Sequence, residues 1–104
     1  FGRPSSPLLA LSVVGPLDTT LTLTCGGPVD AFTSVRGLLG PALAGKPVEI
    51  DYIPVEESAA TIIHHVTTGA RGRFTDAPGA PFVSAIAFFP GDDGYVAADA
   101  YCPA

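Results

Sequence analysis

The stretch Pro47-Val48-Glu49-Ile50-Asp51-Tyr52-Ile53 alternates apolar with acidic side chains and indicates how the rest of the chain folds. Successive side chains of a β-strand point to opposite faces, so one face of this strand is apolar and the other is acidic. We expect Val48, Ile50 and Tyr52 to point into a core, and Glu49 and Asp51 to face water. The stretch therefore predicts a strand that covers one side of a hydrophobic core.

Similar strand patterns recur on both sides of this stretch. In residues 20–25, threonines alternate with an apolar face formed by Leu21, Leu23 and Cys25. Clusters of Gly and Pro separate the apolar runs and predict turns between short strands. Further strands are predicted at residues 8–14, 31–39, 61–68, 82–89 and 95–102, with a short one through Phe74 that would pair with 61–68 as a hairpin around the turn 69–72.

Strands at intervals of about ten residues are typical of an antiparallel β-sandwich. We therefore predict an all-β fold of seven or eight strands. A chain of 104 residues has the size of one domain. We interpret residues 1–16 as an N-terminal arm with a first strand, and residues 17–104 as the sandwich.

The composition argues against several classes of function. Ten acidic and five basic side chains give a net charge of -5. The basic residues form no stripe, so we expect no nucleic-acid partner. The apolar runs are shorter than the roughly 18–20 residues that cross a bilayer, so we expect no membrane span. Asn, Gln and Trp are absent, which argues against a carbohydrate site.

The chain has two cysteines, Cys25 and Cys102, without a histidine or cysteine at metal-ligand spacing nearby. This pattern favours a disulfide, with two unpaired buried thiols as the alternative. A loop of this length, once closed, would stabilise the fold by about 4 kcal/mol in the chain-entropy treatment. A disulfide would also indicate an oxidising, extracellular setting.

The polar residues do not form a recognisable reaction centre. His64 and His65 are adjacent on a predicted strand, so they point to opposite faces and cannot bind one ion together. Asp92-Asp93 with Asp99, or Glu56-Glu57, could offer oxygen ligands to calcium but lack the regular spacing of dedicated loops. No serine stands in a Gly-x-Ser-x-Gly turn, and no Gly-rich phosphate loop opens a helix. We expect no enzyme activity, no metal site and no cofactor.

Residues 20–102 resemble the bacterial immunoglobulin-like repeats of secreted and surface proteins. The matching pieces are Leu21-Thr22-Leu23-Thr24-Cys25, Leu43-Ala44-Gly45-Lys46-Pro47-Val48, Val66-Thr67-Thr68 with Gly72-Arg73-Phe74, and Phe89-Pro90-Gly91-Asp92 with Tyr95 and Cys102. The resemblance implies an immunoglobulin-like sandwich in a fibre, stalk or adhesin, and no particular reaction. The chain departs from the pattern in two places: Val83 stands where a core aromatic is usual, and Pro103-Ala104 replaces a closing strand.

A missing closing strand would leave an unpaired sheet edge, which some other strand should cover. The candidate is the apolar arm segment formed by Leu8, Leu9, Leu11, Val13 and Val14. It could fold back as the first strand of the same domain, or insert into a neighbouring copy by strand addition.

A second apolar signal lies in residues 82–89. Placing Val83, Ala85, Ala87 and Phe89 inward leaves Phe82, Ile86 and Phe88 on the outer face, which is too apolar for water. These three side chains would form a contact patch with other copies, unless loops of the same domain cover them.

These features together favour a structural subunit of an extracellular filament, pilus or surface layer. Its partners would be copies of itself, joined by strand complementation or by apolar face contacts. The alternative is an autonomous immunoglobulin-like adhesin, accessory or spacer module of a secreted protein. A secreted enzyme inhibitor is a third possibility, with the loop 54–58 as its protruding element.

Overall fold

The alternating stretch at residues 47–53 forms an inner strand of a β-sheet in the computed structural model, which describes residues 16–103. Within that range the strands are β1 (Thr20–Gly26), β2 (Ser34–Gly40), β3 (Pro47–Pro54), β4 (Ile62–Thr67), β5 (Arg73–Asp76), β6 (Phe82–Phe89) and β7 (Ala98–Cys102). One turn of 3-10 helix, Ala70–Gly72, lies between β4 and β5. In the described part of the chain, no helix has the length and apolar character needed to cross a membrane.

The strands form two antiparallel sheets. One sheet has the order β1-β2-β5 and the other has the order β4-β3-β6-β7. The resulting seven-stranded sandwich confirms the predicted fold class. Its core lies between the sheets and contains Leu21, Phe32, Val35, Leu39, Leu43, Val48, Ile50, Tyr52, Phe74, Phe82, Ala85, Ala87, Phe89 and Cys102.

The predicted hairpin between residues 61–68 and Phe74 is wrong. β4 pairs with β3, whereas β5 pairs with β2 in the other sheet, so the turn at residues 69–72 carries the chain across the sandwich. Gly72 makes this crossing possible because its φ is +79° and a Cβ there would lie 2.1 Å from the carbonyl oxygen of Leu39. Only glycine fits both the backbone angle and the close approach of β2.

The expected outward position of Phe82 is also wrong. The pairing of β6 with β3 is shifted between Ile53 and Pro54, so that Ser84 opposes Ile53 while Phe82 opposes Pro54. Such a bulge reverses the alternation beyond it. Phe82 is therefore completely buried, with its ring centroid 4.8 Å from that of Tyr52.

This bulge also explains the apparent loss of a core aromatic. Val83, which we expected to replace the aromatic inside, is only half-buried. Phe82 itself occupies the core position and exchanges two backbone hydrogen bonds with Phe32.

The expectation of a missing closing strand is wrong as well. β7 contains Cys102 and pairs with β6 from Ala85 to Phe89, so the second cysteine lies on the last strand and not before it. Residues 17–103 therefore supply all seven strands of the sandwich. The predictions for Leu8, Leu9, Leu11, Val13 and Val14 lie outside the described residues.

The two rims of the sandwich are closed in different ways. At one rim Cys25 of β1 and Cys102 of β7 form the predicted disulfide, with Cα atoms 5.6 Å apart. This bond joins the edge strand of one sheet to the edge strand of the other. It confirms the expected pairing and indicates folding in an oxidising compartment.

At the other rim Asp76 of β5 accepts hydrogen bonds from the facing sheet. The Tyr52 hydroxyl donates to Asp76 Oδ2 at 2.5 Å, and His64 Nδ1 lies 2.7 Å from the same oxygen. Burial and the neighbouring Asp76 carboxylate raise the pKa of the Tyr52 phenol far above its usual value. The phenol therefore keeps its proton and remains a donor at any physiological pH.

Candidate interaction surface

The outer side of the four-stranded sheet is the most unusual surface of the described chain. We call it the four-stranded face and define it by the outward side chains of its strands. Strand register arranges these side chains in two rows. The first row is Ile63, Asp51, Ile86 and Tyr101, and the second is His65, Glu49, Phe88 and Asp99.

The apolar members of these rows are open to solvent. Relative exposure is 65% for Tyr101, 54% for Ile63, 48% for Ile86 and 43% for Phe88. An antiparallel sheet with one solvated face usually carries polar side chains there. Ile86 and Phe88 thus have the outward position expected from the sequence, and no loop within residues 16–103 covers them.

Asp51 lies between two isoleucines of the first row. Its neighbours across the strands are Ile63 on β4 and Ile86 on β6. Its Oδ1 atom is shielded from solvent and has no hydrogen-bond partner among the described residues. The expectation that Asp51 simply faces water is therefore wrong for this oxygen, because the apolar neighbours cover it.

This environment changes the proton affinity of Asp51. Burial raises the pKa of its carboxyl, and the neighbouring Glu49 carboxylate raises it further. His65 acts in the opposite direction, with Nε2 3.4 Å from Glu49 Oε1. The four-stranded face thus combines an apolar surface with two adjacent carboxylates that lack a strong cationic partner among the described residues.

The opposite side of the sandwich has a different chemistry. We call the outer side of the sheet β1-β2-β5 the three-stranded face. Its rows are Thr24, Arg36 and Thr75, and Thr22, Leu38 and Arg73. These side chains border a shallow depression of about 340 Å³.

Both arginines of the three-stranded face are available for contacts. Among the described residues, the ion pairs within 4.0 Å involve Lys46, His64 and His65, and neither Arg36 nor Arg73 takes part. Two guanidinium groups therefore stand on a surface of threonine hydroxyls, without a carboxylate beside them in this part of the chain.

Three of the other polar residues singled out from the sequence, His64, His65 and Asp92, have structural partners. His64 and His65 lie on opposite faces, as predicted, and contact Asp76 and Glu49 respectively. Asp92 binds Lys46 Nζ at 2.6 Å and accepts backbone hydrogen bonds in the β6–β7 loop. Within residues 16–103, no three side chains of the metal-binding types come together.

Sequence reasoning missed several members of both faces. Tyr101 was recoverable, because it precedes the inward Cys102 and must point outward. Ile63 and Arg73 were not recoverable, because their places depend on which strands are neighbours in each sheet.

A scan against protein-family models, a search of curated proteins and a search of solved structures found no match to this chain. Functional conclusions therefore depend on the chemistry of these two faces.

Proposed function

We propose that the protein is a non-catalytic structural subunit of an extracellular filament, pilus or surface layer, and that its copies associate through the four-stranded face. The observation that supports this most is the exposure of Ile63, Ile86, Phe88 and Tyr101 on one face of the same sheet. Complete burial of one such side chain contributes roughly 1.5–3 kcal/mol, so a contact that covers all four would be strongly favourable.

The disulfide supports an extracellular location, because such bonds persist in oxidising compartments. The closed sandwich changes the mode of assembly that we favour. β7 already completes the four-stranded sheet, so a donated strand is not needed to finish the described fold. Contact between faces is therefore the preferred mechanism.

The test compares the wild-type chain with Ile86→Ser combined with Phe88→Ser. We expect wild type to increase in mass with concentration in analytical ultracentrifugation, and the double variant to remain monomeric. Val29→Ser is the control, since Val29 is 79% exposed but lies in the loop between β1 and β2. A wild-type protein that stays monomeric at all concentrations would refute the proposal.

The alternative function is an autonomous adhesin or spacer module of a secreted protein. Its support is that residues 17–103 form all seven strands and both rim closures without a neighbour. This alternative predicts a monomer whose thermal unfolding midpoint is the same at all protein concentrations.

A further inference from the structure

We propose that the four-stranded face binds the three-stranded face of the next copy, so that subunits add head to tail. This inference rests on the proposed function, because it names the partner of the same surface. The two faces lie on opposite sides of the sandwich. Each subunit can therefore use both at once, and a heterologous contact of this kind extends into an open chain unless its rotation closes a ring.

Charge complementarity selects this pairing. The four-stranded face presents the carboxylates of Glu49, Asp51 and Asp99, whereas the three-stranded face presents Arg36 and Arg73. A symmetric contact between two four-stranded faces would bring carboxylates of both copies into one desolvated region. Such a juxtaposition of like charges is costly, whereas an arginine that docks on a carboxylate offsets its desolvation.

The spacing of the charges also agrees. Glu49 and Asp51 are two residues apart on β3, which separates their Cα atoms by about 7 Å in a strand. Arg36 opposes Thr75, and Arg73 is two residues from Thr75 on the same side of β5. Such diagonal neighbours on adjacent strands are about 7–8 Å apart. Two cations can thus face two carboxylates without rearrangement of either sheet.

The shielded oxygen of Asp51 indicates where one cation would bind. Asp51 Oδ1 is covered by apolar neighbours and has no donor among the described residues. A guanidinium group from another copy that docked on this carboxylate would favour its ionised form, and it would reach Oδ1 once the covering side chains had shifted. The remaining titratable groups on this face are Glu49, His65, Asp99 and Tyr101.

The packing is compatible with the same arrangement. The three-stranded face has a depression of about 340 Å³ bordered by Leu38 and by threonine side chains with methyl groups. Leu38 is 43% exposed. Its side chain would contact Ile86 and Phe88 on the four-stranded face of the neighbouring copy. Both arginines line the depression, so apolar and ionic contacts would form together.

The experiment uses two charge-reversal variants of the full chain. The first is Arg36→Glu with Arg73→Glu, and the second is Glu49→Lys with Asp51→Lys. In the first variant both faces are acidic, and in the second both are basic. Two copies of the same variant would therefore repel each other at the contact. We therefore expect self-association of each to weaken by about tenfold or more relative to wild type in sedimentation velocity.

Mixing the two variants restores complementary charges at each contact. We expect the equimolar mixture to assemble at concentrations where each variant alone is monomeric. Arg71→Glu is the control for a charge reversal outside both faces, and it should assemble like wild type. Circular dichroism melting checks that each variant is folded. If Arg36→Glu with Arg73→Glu prevents folding, the variant Arg36→Gln with Arg73→Gln is used in its place.

The outcomes separate this inference from the proposed function. A monomeric wild type would refute the proposed function itself. A wild type that assembles, together with an arginine variant that assembles equally well alone, would refute only the head-to-tail pairing and indicate a symmetric contact. Loss of assembly in both variants with recovery in the mixture would support the pairing.

Discussion

The two outer faces of this sandwich cover the same core but differ in chemistry. The three-stranded face consists mainly of threonines and arginines, as expected for a solvated sheet. The four-stranded face carries exposed isoleucine, phenylalanine and tyrosine around two carboxylates. Both sheets keep the same inward alternation, so the core does not require this difference. This difference is the basis on which we propose the four-stranded face as the contact surface.

The largest expected effect comes from comparing a residue on the inner side of β6 with one on its outer side. Phe82→Ala should lower the free energy of unfolding by about 3–5 kcal/mol, because it removes a fully buried ring. Phe88→Ala should lower it by less than about 1 kcal/mol, since Phe88 is solvent-exposed in the subunit. Urea denaturation at low protein concentration measures both. If both variants lost a similar free energy of unfolding, this result would contradict the inward position of Phe82 at the bulge and the outward position of Phe88.

The next effect tests the rim that holds the two sheets in register. Tyr52→Phe removes the hydroxyl that donates to Asp76 but keeps the ring in the core. We expect a loss of about 1.5 kcal/mol in the free energy of unfolding, typical of a hydrogen bond to a charged group. Tyr101→Phe is the matched control, because its hydroxyl lies on an exposed side chain, and it should leave stability unchanged. An unchanged Tyr52→Phe variant would show that the rim hydrogen bonds contribute nothing.

A smaller effect tests the carboxylate on the apolar face. The pKa of Asp51 is higher in the folded chain than its ordinary value of 3.8, so the folded state binds more protons than the unfolded state. Stability therefore falls as pH rises through the folded-state pKa. Asp51→Asn should stabilise the subunit at neutral pH, and this gain should disappear at pH values below about 3.8.

The measurement is urea denaturation of dilute protein at pH 7 and in acid. Asp99→Asn is the control for removing a carboxylate from the same face, because Asp99 lies exposed on the edge strand β7. A gain for Asp51→Asn that is equal at both pH values would contradict the role of charge.

The smallest effect tests whether both faces are dispensable for folding. Leu38→Ser on the three-stranded face and Ile63→Ser on the four-stranded face should each change the free energy of unfolding by about 0.5 kcal/mol or less. Thermal unfolding of dilute protein is a sufficient measurement. A large loss for Ile63→Ser alone would mean that its face supports the fold of the subunit.

Local sequence patterns predicted most of the strands and most of the core. The period of two in residues 47–53 placed Val48, Ile50 and Tyr52 inside, and all three are completely buried. Turn residues also marked the strand boundaries well. These features depend on neighbouring residues only, so one stretch of sequence is enough to recognise them.

Non-local features could not be predicted in the same way. The orientation of Phe82 depends on a bulge between β6 and β3, and no residue in 82–89 marks it. β4 and β5 belong to different sheets, because β4 pairs with β3 and β5 pairs with β2. Local sequence patterns do not show these pairings. Likewise, the isolation of Asp51 between Ile63 and Ile86 arises from three strands that are distant in sequence.

The disulfide between Cys25 and Cys102 has a mechanical consequence. The two cysteines are 77 positions apart, so the covalent ring contains β2 to β7 and all of the buried core except Leu21. A pulling force that enters before Cys25 and leaves after Cys102 passes through the sulfur atoms and bypasses β2 to β6, whereas the part of β1 before Cys25 remains under load. The segment between the two cysteines therefore cannot unravel under such a load, and any lengthening is confined to residues outside the ring.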